Sequence, residues 1–156
     1  MKDEAIHLAK EVLIKPFEGY AKKLPNGNCK AYPDPGTGGK PWTIGWGTTG
    51  KDIGPETIWT VEQAEQALEE HIRYFMTGVL AMCPSLHTEP PKRLAAVTSF
   101  AYNCGLGNLR VSTLRKRICE RDWDGACEEI VKWNKAAGRV LPGLTRRRQA
   151  EAALLK

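Results

Sequence analysis

Residues 17–50 read FEGYAKKLPNGNCKAYPDPGTGGKPWTIGWGTTG. Glycine and proline crowd this stretch, and both shape turns rather than fill a core. Between them lie short β-prone pieces, CKAY at 29–32 and WTIGW at 42–46. Asn26-Gly27 is a hairpin signal. The pattern predicts two or three short antiparallel strands with tight turns at PNGN and PDPGTGG. The stretch also carries two acids, Glu18 and Asp34, and the hydroxyl of Thr43.

The flanking sequence changes period. Ala5, Leu8, Ala9, Val12 and Leu13 recur at helical spacing over residues 3–15. Asp3 is placed to cap that helix and Pro16 to stop it, which leaves Glu18 just beyond its exit. Thr60-Val61-Glu62-Gln63 is a capping-box pattern. The long helix it opens puts Val61, Ala64, Leu68, Ile72, Phe75 and Val79 on one stripe and should reach Met82, before Pro84. A further helix starts at Pro90-Pro91 with Leu94, Val97, Ala101 and Cys104 on one face, and Gly105 ends it. Ser112 opens a short helix to about Cys119, Asp122 caps another to about Trp133, residues 135–143 form a loop, and Leu144 to Leu155 is a basic helix. The expected fold class is α+β in a single domain. A small antiparallel β lobe occupies about 17–59, a connecting helix about 60–82, and a helical lobe about 84–156 together with the N-terminal helix 3–15.

The 156 residues suit one compact domain that can bury a core without disulfides or metals. The net charge of +5 suits an anionic partner, whether nucleic acid, acidic polymer or membrane surface, without choosing among them. No zinc-finger spacing or nucleic-acid motif is visible, so no nucleic-acid partner is expected. No run approaches the roughly 20 apolar residues of a membrane span. The N-terminal residues carry acids inside their apolar pattern and lack the apolar region of a signal peptide, so synthesis and first residence in a cytoplasm are expected. The five cysteines include no C-x-x-C and the three histidines are scattered, so no metal and no cofactor are expected. Cys119 and Cys127 flank a helix break and can face each other; alternatively the cysteines are small buried hydrophobes. Most of Trp42, Trp46, Trp59, Trp123 and Trp133 are expected in the core.

Two carboxylates facing a sugar ring are the common apparatus of glycosidic bond cleavage. The acid of such a pair is best placed partly out of water. Glu18, after Phe17 where a helix meets a sheet, fits that place, whereas Asp34 is expected in an exposed polar turn. Thr43 offers a hydroxyl able to help hold a water. Glu at a helix end and Asp in a Pro-Asp-Pro-Gly turn are also ordinary structural residues.

Glu18-Gly19, then Ala31-Tyr32-Pro33-Asp34-Pro35, then Thr43-Ile44-Gly45-Trp46-Gly47 resemble the catalytic segment of the phage-type lysozymes, glycoside hydrolase family 24, which includes many tailed-phage endolysins. Ser99 to Asn103, Ser112-Thr113-Leu114, Trp133, and Gly143 to Arg148 through Glu151 extend the resemblance over the whole chain. It implies a small β lobe and a helical lobe joined by a long helix, with the cleft between them. It implies hydrolysis of the β-1,4 bond between N-acetylmuramic acid and N-acetylglucosamine in peptidoglycan. Glu18 would be the general acid, Asp34 the second carboxylate and Thr43 its helper in placing water. Tyr32, Gly47, Tyr102 and Asn103 would contact substrate, and Arg146 would support Glu18, although a run of arginines is usually a solvated face. A monomer released through a holin from the host cytoplasm to act on the wall is implied as well. A lytic transglycosylase on the same polymer, or a basic binding protein, is the alternative. The chain departs from common members by extra residues at 23–28 and 36–41, the second of them a glycine-rich rim, and by Thr48 where many carry His.

Overall fold

The computed structural model describes residues 2–35 and 37–156; Gly36, in the glycine-rich segment singled out above, lies outside the described residues. Two compact units divide the chain, Ile14–His71 in one and Met1–Leu13 with Ile72–Lys156 in the other.

The chain opens with α1 (Lys2–Leu8), widens to a π-helix over Ala9–Ile14 and continues as α2 (Lys15–Glu18). The helix therefore does not stop at Pro16. Proline lacks an N–H and its ring crowds the preceding turn. A wider turn before it, and its own place in the first turn of α2, remove both conflicts. Glu18 becomes the last helical residue rather than one beyond the exit. Gly19, at φ 72°, then turns the chain away while its N–H donates to the Lys15 carbonyl at 3.0 Å.

Four two-residue strands follow: β1 (Cys29–Lys30), β2 (Thr43–Ile44), β3 (Thr48–Thr49) and β4 (Ile58–Trp59). They form two separate antiparallel pairs, β1 with β4 and β2 with β3. The Asn26-Gly27 turn closes as expected, with a bridge between Lys23 and Cys29 and Gly27 at φ 90°. A second isolated bridge joins Tyr32 to Thr43. Around these pairs Cys29, Ala31, Ile44 and Trp46 are buried. Gly45, at φ 64°, lets the chain pass close to the first turn of the helix that follows: a Cβ there would lie 3.2 Å from the Ala64 Cβ.

Helix α3 (Val61–Met82) begins with the capping box, Gln63 N–H donating to Thr60 Oγ1 at 3.2 Å and Thr60 N–H to Gln63 Oε1 at 2.9 Å. Ala64, Leu68, Ile72, Met76 and Val79 form its buried stripe, whereas Val61 at the first turn is exposed. After a 3₁₀ turn (Pro84–Thr88) comes α4 (Pro91–Cys104), buried continuously from Leu94 to Ala101. Gly105 at φ 92° ends it, its N–H donating to the Ala101 carbonyl at 2.7 Å. Helix α5 (Leu106–Arg110), absent from the sequence expectation, precedes α6 (Thr113–Cys119) and α7 (Trp123–Ile130). The Ser112 hydroxyl accepts from Arg115 N–H at 3.0 Å and the Asp122 carboxylate from Gly125 N–H at 3.0 Å, so both caps stand where the sequence placed them. Residues read as a plain loop contain a small hairpin, β5 (Lys135–Ala136) with β6 (Arg139–Val140), before α8 (Pro142–Leu155). In this unit α4 packs against α1 and α8, and α7 against α6 and α8.

Candidate active site

Glu18 is half-buried at the end of α2. Its carboxylate lies against the bare α-carbon of Gly47. A Cβ on Gly47 would meet Glu18 Oε2 at 2.9 Å and Cδ at 3.4 Å, and Gly47 also holds φ 85°. Both space and backbone therefore demand glycine at this one position. Tyr32 belongs to the same neighbourhood. Burial, and next the charge of Glu18, push its phenol above its ordinary value.

Tyr32 and Thr43 exchange both backbone hydrogen bonds, each at 2.9 Å. Residues directly opposite in an antiparallel pair present their side chains to one face. Thr43 thus shares a face with Tyr32, whose ring senses Glu18. Asp34 follows Tyr32 by two positions, just past the bridge. Asp34 also closes its own turn. Its carboxylate accepts from Thr37 N–H at 3.1 Å, its carbonyl from Gly38 N–H at 2.8 Å, and its N–H donates to the Gly39 carbonyl at 2.9 Å. These bonds fold the turn about Asp34 and leave it half-buried, not in the exposed setting expected.

Trp46 is a packing residue, as its 8% exposure shows. Tyr20 lies 4.7 Å from it between ring centroids, and Lys15 Nζ sits 4.6 Å above its ring. Lys15 also pairs with Glu65, which fixes α2 to α3 beside Glu18. Thr48 is 3% exposed and its hydroxyl has no hydrogen-bond partner among the described residues.

Tyr102, Asn103 and Arg146 belong to the helical unit. Tyr102 is half-buried with its ring 5.5 Å from Phe75. Asn103 is exposed, yet its Oδ1 accepts from Arg148 Nη2 at 2.9 Å. Of the three consecutive arginines only Arg146 is exposed; Arg147 and Arg148 are 3% and 0% exposed. A solvated face is therefore wrong for two of them, because α8 turns both toward Glu151, itself fully buried. Arg148 Nε lies 2.7 Å from Glu151 Oε1 and Arg147 Nε 3.5 Å from Oε2. The Ser99 hydroxyl donates to Glu151 Oε2 at 2.5 Å, and Arg148 Nη1 donates to Cys104 Sγ at 2.6 Å. Burial pushes the Glu151 carboxyl above its ordinary value, while Arg148, Arg147 and Ser99 hold part of that rise back. The i,i+3 and i,i+4 spacing of the two arginines to Glu151 is the sequence signal for this cluster. Among the described residues no group of His, Cys, Asp and Glu is arranged to hold a metal.

The phage lysozyme family model matches residues 16–151. An endolysin of Bacillus phage B103 is 37% identical over 142 residues, which is 91% of this chain and 50% of the relative. The chain thus spans about half the length of that relative, and 51% of a second one, from Bacillus phage PZA. An endolysin of Acyrthosiphon pisum secondary endosymbiont phage 1 is 36% identical over 151 residues, 93% of each chain. Among solved structures, an endolysin from Escherichia coli O157:H7 phage FAHEc1 superposes with a TM-score of 0.74 at 28% identity, over 97% of this chain and 90% of its own. The match takes in the Glu18 segment and the Arg148–Glu151 cluster alike: the fold is lysozyme-like, mostly helical with small antiparallel sheets, and the chain belongs to the phage lysozyme family.

Proposed function

We propose that the chain hydrolyses the β-1,4 bond between N-acetylmuramic acid and N-acetylglucosamine in peptidoglycan, as an endolysin does. The observation that carries the reading is the setting of Glu18: a half-buried carboxyl against Gly47 and near Tyr32, which bridges to Thr43. In this reading Glu18 gives its proton to the glycosidic oxygen as the carbon–oxygen bond breaks. A water held by the Asp34 carboxylate and the Thr43 hydroxyl attacks the anomeric carbon, and Asp34 takes its proton. Tyr32 and Gly47 line the sugar's path in the β-rich unit. In the helical unit, Tyr102 and Asn103 are the residues assigned to substrate contact, and Arg146 keeps the supporting role that the resemblance implies. Membership in the family and the whole-length relative at 36% identity support this assignment.

Glu18→Gln tests it. General acid catalysis is worth about 10²–10⁴-fold, so clearing of permeabilised bacteria should fall by that factor while circular dichroism stays unchanged. Full activity in that variant ends the assignment. Mass spectrometry of the released fragments should show reducing muramic ends; 1,6-anhydro ends would instead favour a transglycosylase, which needs no positioned water. No helix among the described residues is long and apolar enough to cross a membrane. We infer passage to the wall through a holin, so expression in a host should lyse it only once the inner membrane is opened; lysis by the chain alone refutes that step.

A further inference from the structure

Four of the chain's features account for its five cysteines. Cys29 is fully buried and shares a hydrogen bond with the Tyr20 side chain. Cys104 accepts from Arg148, and Cys127 Sγ donates to the Ala152 carbonyl at 3.4 Å. The remaining two, Cys83 and Cys119, face each other. The pairing of Cys119 with Cys127 considered from the sequence is replaced by this one, because α6 ends against the exit of α3 rather than against α7's Cys127.

Cys83 directly follows α3, is fully buried and precedes the 3₁₀ turn. Cys119 is the last residue of α6 and is exposed. Cys119 Sγ donates to the Met82 carbonyl at 3.5 Å, the carbonyl of the peptide bond that leads into Cys83. The two thiols also share a hydrogen bond. Two more bonds hold the seam on either side of the sulfurs. Arg115 Nε donates to that same Met82 carbonyl at 3.0 Å, and Ser85 Oγ donates to the Ile118 carbonyl at 3.1 Å. The backbones flanking both cysteines are thus already fixed next to each other while the thiols are reduced.

We propose that Cys83 and Cys119 are a redox pair that closes to a disulfide when the protein meets an oxidising compartment, stapling α6 to the end of α3. The oxidant is a small-molecule or protein disulfide. The exposed Cys119 thiolate attacks one of its sulfurs, forming a mixed disulfide and expelling a thiolate. Cys83 then loses its proton, attacks the Cys119 sulfur and expels the second thiolate. One disulfide forms in the protein, one is consumed, and two electrons and two protons pass to the expelled thiols. Burial, reinforced by Cys119, pushes the Cys83 thiol up to about 12. Cys119 therefore opens the exchange, and closure by Cys83 quickens as the pH rises. None of Glu18, Asp34 or Thr43 lies in the unit that holds the pair, and the staple is read out in that unit's stability.

The test is incubation of the native protein with oxidised glutathione, digestion without reduction and mass spectrometry. The expected product is two hydrogens lighter and carries one cross-link, between the peptides of Cys83 and Cys119. Its melting midpoint should rise by roughly 5–10 °C, and dithiothreitol should reverse the rise. Cys119→Ser, an exposed and conservative change, should abolish cross-link and shift together; Cys127→Ser should preserve both. A glutathione adduct that persists on Cys119, a cross-link from Cys119 to Cys127, or thiols that stay reduced would each overturn the proposal.

Discussion

The β-rich unit and the helical unit each carry a glutamate on a helix, and they treat it in opposite ways. Glu18 stands at a helix end, half-buried, against an α-carbon from which the side chain has been removed. Glu151 lies inside α8, fully buried, with two guanidinium groups and a hydroxyl gathered round it. One unit makes room for a carboxylate by subtraction; the other secures a carboxylate by adding partners. A buried charge surrounded by fixed partners cannot change its surroundings during a reaction, so the second arrangement holds helices together. The first leaves a carboxyl half-buried at a helix end, the setting proposed above for the proton donor.

Substitutions at the two glutamates break or sharpen this contrast most. Glu18→Gln is expected to cost about 10²–10⁴-fold in cleavage at an unchanged melting midpoint. Glu151→Gln should do the reverse. It leaves Arg148 and Arg147 buried without their anionic partner, at about 3–5 kcal/mol, which lowers the midpoint by roughly 10 °C in a calorimetric scan. Residual cleavage measured well below that midpoint should stay near wild type. If Glu151→Gln instead lost cleavage while folded, the helical cluster would be part of the chemistry and the contrast would fail.

Smaller changes probe the same division. Gly47→Ala forces a methyl onto the Glu18 carboxylate, and misplacement of a reacting group by about an ångström costs on the order of 10²-fold. The accompanying stability loss, from an L residue at positive φ, should be only about 1–2 kcal/mol. Kinetics beside a denaturant curve separates the two. Asp122→Ala removes the cap of α7 and should cost about 1 kcal/mol in urea unfolding with no change in rate. Thr48→Val deletes a buried hydroxyl that has no partner among the described residues. It should leave stability unchanged or raise it by up to about 1 kcal/mol.

Local signals proved legible where one residue meets its near neighbours in the chain. Thr60 with Gln63, Ser112, Asp122 and Gly105 start and stop helices through bonds spanning three or four residues, so the sequence alone displays them. Pairing over longer distances did not show. Cys29–Lys30 finds Ile58–Trp59 across an intervening strand pair, and two residues carry too little pattern to announce a register. Pro16 misled because the widened π-helical turn before it gives proline a first-turn position, which the simple stop rule does not anticipate. The arginine run misled for a related reason: charge predicts solvent until a partner is known, and Glu151 becomes one only when α8 has formed. Around Glu18 the sequence offered candidate residue types, but the contact of Gly47 with Glu18 was not readable, since a glycine's neighbours are invisible in a string.

That contact is handed. At Gly47 the obstructed position is the one that the methyl of an L residue would fill, and φ 85° is a backbone angle native to D residues. A D-alanine introduced there by semisynthesis would carry its methyl at the other α-hydrogen, on the far side of the backbone from Glu18. The site thus requires an open hemisphere at one α-carbon rather than a flexible link, and mirror-image chemistry can fill the other hemisphere without closing it.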